Sequence, residues 1–111
     1  TNNWSDSKDL STNNRYREKS IAQLAARASQ AFMEYAPIRL NGDVERDRIY
    51  RRLPYGPMLD LLMIDMRSYR GPNSTNLQPD YDATSQFLGP AQLSWIKRNL
   101  KESKATWKVI C

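Results

Sequence analysis

The sequence has no histidine and a single cysteine, Cys111. The first absence excludes a Ser-His-Asp triad, a Cys-His pair and any His-ligated metal built from these residues alone. The second excludes an internal disulfide and a Cys-x-x-Cys site. Long apolar runs are missing too. The richest stretch, 58–66, is broken by Asp60 and Asp65 and falls far short of the ~20 residues that a membrane-spanning helix needs. Thr1-Asn2-Asn3-Trp4 offers no initiator Met and no apolar core of a signal peptide. Blocks of like charge are scarce, 97–108 being the exception. What is present is ordinary for one globular domain: 111 residues, 40% apolar and 26% charged. Seventeen basic against twelve acidic residues give a net charge of +5, which permits an anionic partner without demonstrating one.

Residues 1–14 are polar and rich in Asn and Ser, and read as a loop. Asn13 or Asn14 is placed to cap a helix running from Tyr16, with Glu18 in its first turn. Ile21, Leu24, Ala25, Ala28, Ala31, Phe32 and Tyr35 then fall on one helical stripe, which Pro37 ends. Asn41-Gly42-Asp43 marks a turn. The alternation over 48–53 predicts a strand, Pro54-Tyr55-Gly56-Pro57 a tight connection, and 58–65 a strand buried on both faces. Residues 68–86 have no usable period and read as a long loop, of a length that is usually functional or mobile. Gly89-Pro90 opens a second helix with Pro90 at its first position and Leu93, Ile96 and Leu100 as its buried stripe. Residues 105–111 alternate as a last strand, in which Cys111 is expected to be an inert buried thiol.

Strand, helix, strand over 58–111 is a βαβ unit and implies a parallel pairing. The expected class is therefore α/β, with two helices and about three strands. Parallel sheets need cover on both faces and about five strands. The expectation is a single partial domain, 1–111, lacking flanking segments.

Several stretches resemble the PhoD-type alkaline phosphatases and phosphodiesterases, a family of secreted metallophosphatases. Tyr35-Ala36-Pro37-Ile38-Arg39 is similar to the family's helix end. Ile49-Tyr50-Arg51 with Tyr55-Gly56 and Leu59-Asp60-Leu61 resembles its paired strands. Ile64-Asp65-Met66-Arg67-Ser68-Tyr69-Arg70 resembles its Asp-x-Arg-x-Tyr-Arg signature, and Leu88-Gly89-Pro90-Ala91-Gln92-Leu93-Ser94-Trp95 its Leu-Gly-x-x-Gln-x-x-Trp helix. Ser103-Lys104-Ala105-Thr106-Trp107-Lys108 resembles the start of the strand that follows. The motifs stand in the family's order. Asn2-Asn3-Trp4 looks like the segment after its Trp-Asp-Asp-His-Glu box, which is not among these residues. The resemblance implies a segment of a metallophosphatase-like α/β sandwich, a phosphate ester substrate, calcium and iron as metals, and a secreted or periplasmic location. The family's other metal ligands are absent, so these residues alone assemble no metal centre, and the chain alone is expected to be inactive.

Asp65 and Arg67 lie past the carboxyl end of a predicted strand, where open α/β sheets place ligand crevices. Arg67 can present its planar fork to a phosphate, which makes Arg67 and Asp65 the candidate substrate-binding residues. The competing reading is an ion pair of Asp65 with Arg67 or Arg70 that ties down the long loop. It takes precedence, since structural ion pairs imitate sites. Asn2 and Asn3 can offer amide oxygens to a hard cation, against the plainer reading of a polar loop beside a site. Arg48, Arg51 and Arg52 with Tyr50 form a possible nucleic-acid stripe, but Glu45 and Asp47 favour a solvated edge strand. Trp95, Trp107, Tyr50 and Tyr55 are read as packing residues. Asp6, Asp9, Asp80 and Asp82 are loop carboxylates without a metal-site pattern.

Two functions follow. The leading one is a central segment of a PhoD-like phosphatase, supplying core and a substrate-side loop for metal-assisted hydrolysis of phosphate mono- or diesters. The alternative is a small basic binding module for an anionic partner such as nucleic acid.

Overall fold

The computed structural model describes residues 1–39, 48–75 and 77–111. Their elements are α1 (Ile21–Tyr35), β1 (Arg51–Tyr55), β2 (Leu59–Met63), α2 (Pro90–Glu102) and β3 (Trp107–Ile110). This is the mixed α/β class expected, with strand order β1-β2-β3. β1 and β2 form an antiparallel hairpin, with Arg52 opposite Leu62 and Pro54 opposite Asp60. β3 runs parallel to β2, with Asp60 beside Lys108 and Leu62 beside Ile110. The predicted βαβ unit is thus present. The expected Asn41-Gly42-Asp43 turn, with Glu45 and Asp47, lies outside the described residues.

α1 starts later than the apolar pattern suggested. Asn13 and Asn14 do not cap it. The Asn13 side chain accepts from the Arg15 amide, and the Asn13 carbonyl accepts from the Tyr16 amide, so these residues close turns of their own. Ser20 is the cap, its hydroxyl accepting from the Gln23 amide at 3.2 Å. Glu18 bonds the Ser20 amide instead of occupying the first turn. Only Ile21 of the helix is buried, and Phe32 and Tyr35 are exposed. Its apolar stripe is real but mostly uncovered.

β1 starts three residues later and ends two residues later than the predicted first strand. Pro54 and Tyr55 belong to β1 because it is an edge strand, where a residue without an N–H does no harm. β2 is buried on one face only: Asp60 and Leu62 point inward, and Leu59, Leu61 and Met63 are half-buried. The inward face meets α2. Tyr50, Leu62, Trp95 and Ile96 make the core, with Ile64, Tyr69, Leu88 and Leu100 against it. The Tyr50 ring meets Tyr69 and Trp95 edge-on, with centroids 5.4 and 5.0 Å away.

α2 opens as predicted, with Pro90 at its first position. Gly89 has a φ of 73°, and an added Cβ would lie 3.0 Å from the Tyr69 Cβ, so both backbone and space favour glycine. The buried face, however, is Gln92, Trp95, Ile96 and Asn99, and Leu93 is exposed. β3 is exposed along its whole length. Trp107 and Tyr55 are consequently 65% and 76% exposed and pack no core, and Cys111 is exposed, not buried. The cause is shared: these residues sit on edge strands whose faces no described element covers.

Candidate functional site

The chain leaves β2 into the site through a clamp. The Asp65 amide donates to Gln92 Oε1 at 2.7 Å, and Gln92 Nε2 donates to the Asp65 carbonyl at 2.8 Å and to the Leu88 carbonyl at 2.9 Å. Gln92 is fully buried, so this side chain satisfies backbone groups that water cannot reach. Beyond the clamp, Asp65 Oδ1 accepts from the amides of Arg67 and Ser68, both at 2.9 Å. Its carboxylate therefore shapes the turn that carries Arg67. The expected ion pair of Asp65 with Arg67 or Arg70 is not formed. The two amides lie closer along the chain and occupy the carboxylate, while the Arg70 guanidinium stacks 5.1 Å over the Phe87 ring.

Arg67 is half-buried and turns toward the N-terminal segment. Both terminal nitrogens face Asn3 Oδ1 at a long 3.4 Å. No carboxylate among the described residues pairs with it. Asn3 has a φ of 50°, a left-handed conformation that Asn tolerates, and its carbonyl accepts from Asn73 Nδ2 at 2.5 Å. Residues 3, 67 and 73 are thereby gathered from three distant stretches. Asn2 is exposed, and its carbonyl accepts from the Lys8 ammonium.

An open cleft of about 490 Å³ adjoins this corner. Trp4, Leu24, Ala28, Phe32 and Ile49 form its apolar wall, and Asp65, Arg67 and Ser68 its polar end. The uncovered stripe of α1 is one side of it. Sequence reasoning found the stripe and the arginine but not their meeting. Gln92 was legible only as a motif letter, without a role.

The described residues do not fit a metal. Among the described residues no group of three or more Cys, Asp or Glu side chains is gathered to hold one. Asn3 Oδ1 faces a guanidinium, where a metal cation would meet like charge. Two of the loop aspartates serve local turns. Asp9 accepts from the amide and hydroxyl of Ser11, and Asp82 from Thr84 and Ser85. Those bonds hold both carboxyls below the ordinary range.

The basic strand presents no stripe for nucleic acid. Arg51 is buried and donates to the carbonyls of Ile49, Arg39 and Arg48. Arg52 pairs with Asp60 at 2.7 Å, and Arg48 lies 4.8 Å over the Tyr50 ring. The three arginines bind the fold together, so the basic-module reading is not favoured. Among the described residues no helix is long and apolar enough to cross a membrane.

The family model described as PhoD-like phosphatase matches residues 1–111. Alkaline phosphatase D of Bacillus subtilis (strain 168) is 30% identical over 93 residues, covering 77% of this chain and 16% of that protein. A solved structure of PhoD superposes on 98% of this chain with a TM-score of 0.67 and 26% identity, over 22% of its own length. The chain thus spans less than a quarter of either relative.

Proposed function

The chain belongs to the PhoD-like phosphatase family, and from that premise we propose that it is a central segment of a hydrolase that cleaves phosphate mono- or diesters. Water adds to phosphorus, the P–O bond to the organic group breaks, and that group leaves as an alcohol. In this reading the metals implied by the family resemblance, calcium and iron, are held by residues beyond these 111, and the location is secreted or periplasmic. The part of this chain is to position the substrate. The carrying observation is Arg67: a guanidinium with no carboxylate partner among the described residues, held by Asn3 at the polar end of a cleft beyond the carboxyl end of β2. Its fork suits a phosphoryl oxygen. Asp65 acts through the turn it builds, and Asn3 through its hold on Arg67.

The test is Arg67→Gln in the enzyme that carries this segment. A charged hydrogen bond to the transferring group is worth about 1.5–3 kcal/mol, so kcat/KM should fall about 10- to 150-fold. The melting temperature should barely move, since the native contacts of Arg67 are long and partly exposed. Normal kinetics beside a lowered melt would assign Arg67 to structure alone.

A further inference from the structure

Resting on the phosphatase reading, we propose that Asn73 is a positioning residue for phosphate ester cleavage: it fixes Asn3, and Asn3 aims the Arg67 guanidinium at the phosphoryl group. Arg67 is held at two levels. Its backbone is set by the Asp65 carboxylate, with the Gln92 clamp behind it. Its head meets Asn3 Oδ1, which faces both terminal nitrogens at 3.4 Å. Asn3 in turn is tied to the chain beyond the turn, because Asn73 Nδ2 donates to the Asn3 carbonyl at 2.5 Å. The left-handed backbone of Asn3, at a φ of 50°, is a conformation that persists where neighbours hold it. The Asn73 amide supplies such a hold, from 70 residues away in sequence.

The stretch that leads to Asn73 is anchored residue by residue. Tyr69 meets Tyr50 edge-on at 5.4 Å, Arg70 lies 5.1 Å over the Phe87 ring, and the Gly71 amide donates to the Gln86 carbonyl at 2.7 Å. At Gly71 the chain passes backbone to backbone against Thr84. An added Cβ would collide with the Thr84 carbonyl oxygen, so glycine permits this approach. Asn73 thus stands two residues beyond three consecutive anchors. The chemistry of the acceptor matters as well. The amide oxygen of Asn3 orients a guanidinium without cancelling its charge, whereas a carboxylate in its place would compete with the phosphate for the fork. Each terminal nitrogen of an arginine carries two N–H groups, so one on each remains for phosphoryl oxygens. A fork aimed before the substrate arrives loses less freedom on binding.

The experiment is a double-mutant cycle in the enzyme that carries this segment, with Asn73→Ala, Arg67→Gln and the two combined. The substrates are para-nitrophenyl phosphate and bis(para-nitrophenyl) phosphate. Asn73→Ala should lower kcat/KM about two- to tenfold, the worth of one uncharged hydrogen bond. Asn73 is exposed, so the melting temperature should stay where it was. In the Arg67→Gln background the same change should cost nothing further, because the group it positions is gone. A merely structural role would not produce that non-additivity. Asn73→Gln keeps the amide donor and should retain more activity than Asn73→Ala. Parental kcat/KM in Asn73→Ala, beside a loss in Arg67→Gln, would overturn the positioning role and leave the phosphatase reading standing. Equal losses from Asn73→Ala in both backgrounds, with or without a lowered melt, would mean that it acts on something other than Arg67, and the proposal falls. A neutral Arg67→Gln would overturn the reading of Arg67 itself and take this proposal with it.

Discussion

Asp60 is the most consequential single charge. It is buried in β2, paired with Arg52 at 2.7 Å and bonded by the Ser103 hydroxyl. In the hairpin Arg52 stands opposite Leu62, so it reaches Asp60 along the diagonal of the ladder, a distance a long side chain spans. The Arg52 guanidinium first and the Ser103 hydroxyl second hold the Asp60 carboxyl below its usual range, against the opposing effect of burial. Arg52 is shifted upward by the same pair and stays charged throughout. A depressed carboxylate contributes fully above the unfolded value, about 4, and its contribution is lost as pH falls through the folded value. Urea unfolding followed from neutral pH down to about 3 should show stability falling in acid. Asp9 and Asp82 add to that slope, their local bonds acting in the same direction. Asp60→Asn should be less stable than the parent at neutral pH and lose less on acidification. Equal slopes for parent and variant would mean that the pair does not hold the sheet.

At the scale of elements, Gln92 ties α2 to the chain leaving β2, beside the apolar contact of Leu62 with Trp95 and Ile96. Replacing it with Leu keeps the size but strands the amide and carbonyl of Asp65 and the carbonyl of Leu88. Each buried group left without a partner costs about 1–3 kcal/mol. Gln92→Leu should therefore lower the denaturation midpoint strongly. Asp65→Asn, which keeps the Oδ1 acceptor for the two turn amides, should be mild by comparison. A neutral Gln92→Leu would show that water replaces the clamp. The same side chain explains where the sequence was readable and where it was not. The order of elements, the Pro90 start and the parallel pairing of β3 were all legible, because proline, glycine and apolar runs act locally. The buried face of α2 was not. Gln92, Trp95, Ile96 and Asn99 have helical spacing, but hydropathy sees polar residues at both ends and shifts the stripe to Leu93, Ile96 and Leu100. β1 was misplaced for a related reason: Arg51 is buried by its bonds to three carbonyls, which no alternation of polarity records. The cleft needs residues near 4, 28 and 67 in one place, and only the fold brings them there.

Taken whole, the molecule is a slab. Its extents are 51 × 40 × 22 Å and its radius of gyration is 16.4 Å, whereas a compact domain of this length has about 13 Å. The excess goes with apolar surface that the chain does not cover. Trp107, Val109 and Ile110 stand exposed on β3, and β3 is an edge of the sheet. An apolar edge, here interrupted only by Lys108, is a template for another strand, and exposed patches of this kind promote association. The isolated 111-residue chain should therefore self-associate, with its sedimentation coefficient rising with concentration. Val109→Lys places a charge on that edge and should return the chain to monomer at concentrations where the parent is associated, while the Tyr50–Leu62–Trp95–Ile96 core, which Val109 does not enter, keeps its melting temperature. The contrast between the two chains is what counts. A parent that stays monomeric into the high micromolar range would show that β3 is shielded in solution. A Val109→Lys variant that still associates would move the contact elsewhere, the exposed Phe32 and Tyr35 of α1 being the next surface to test.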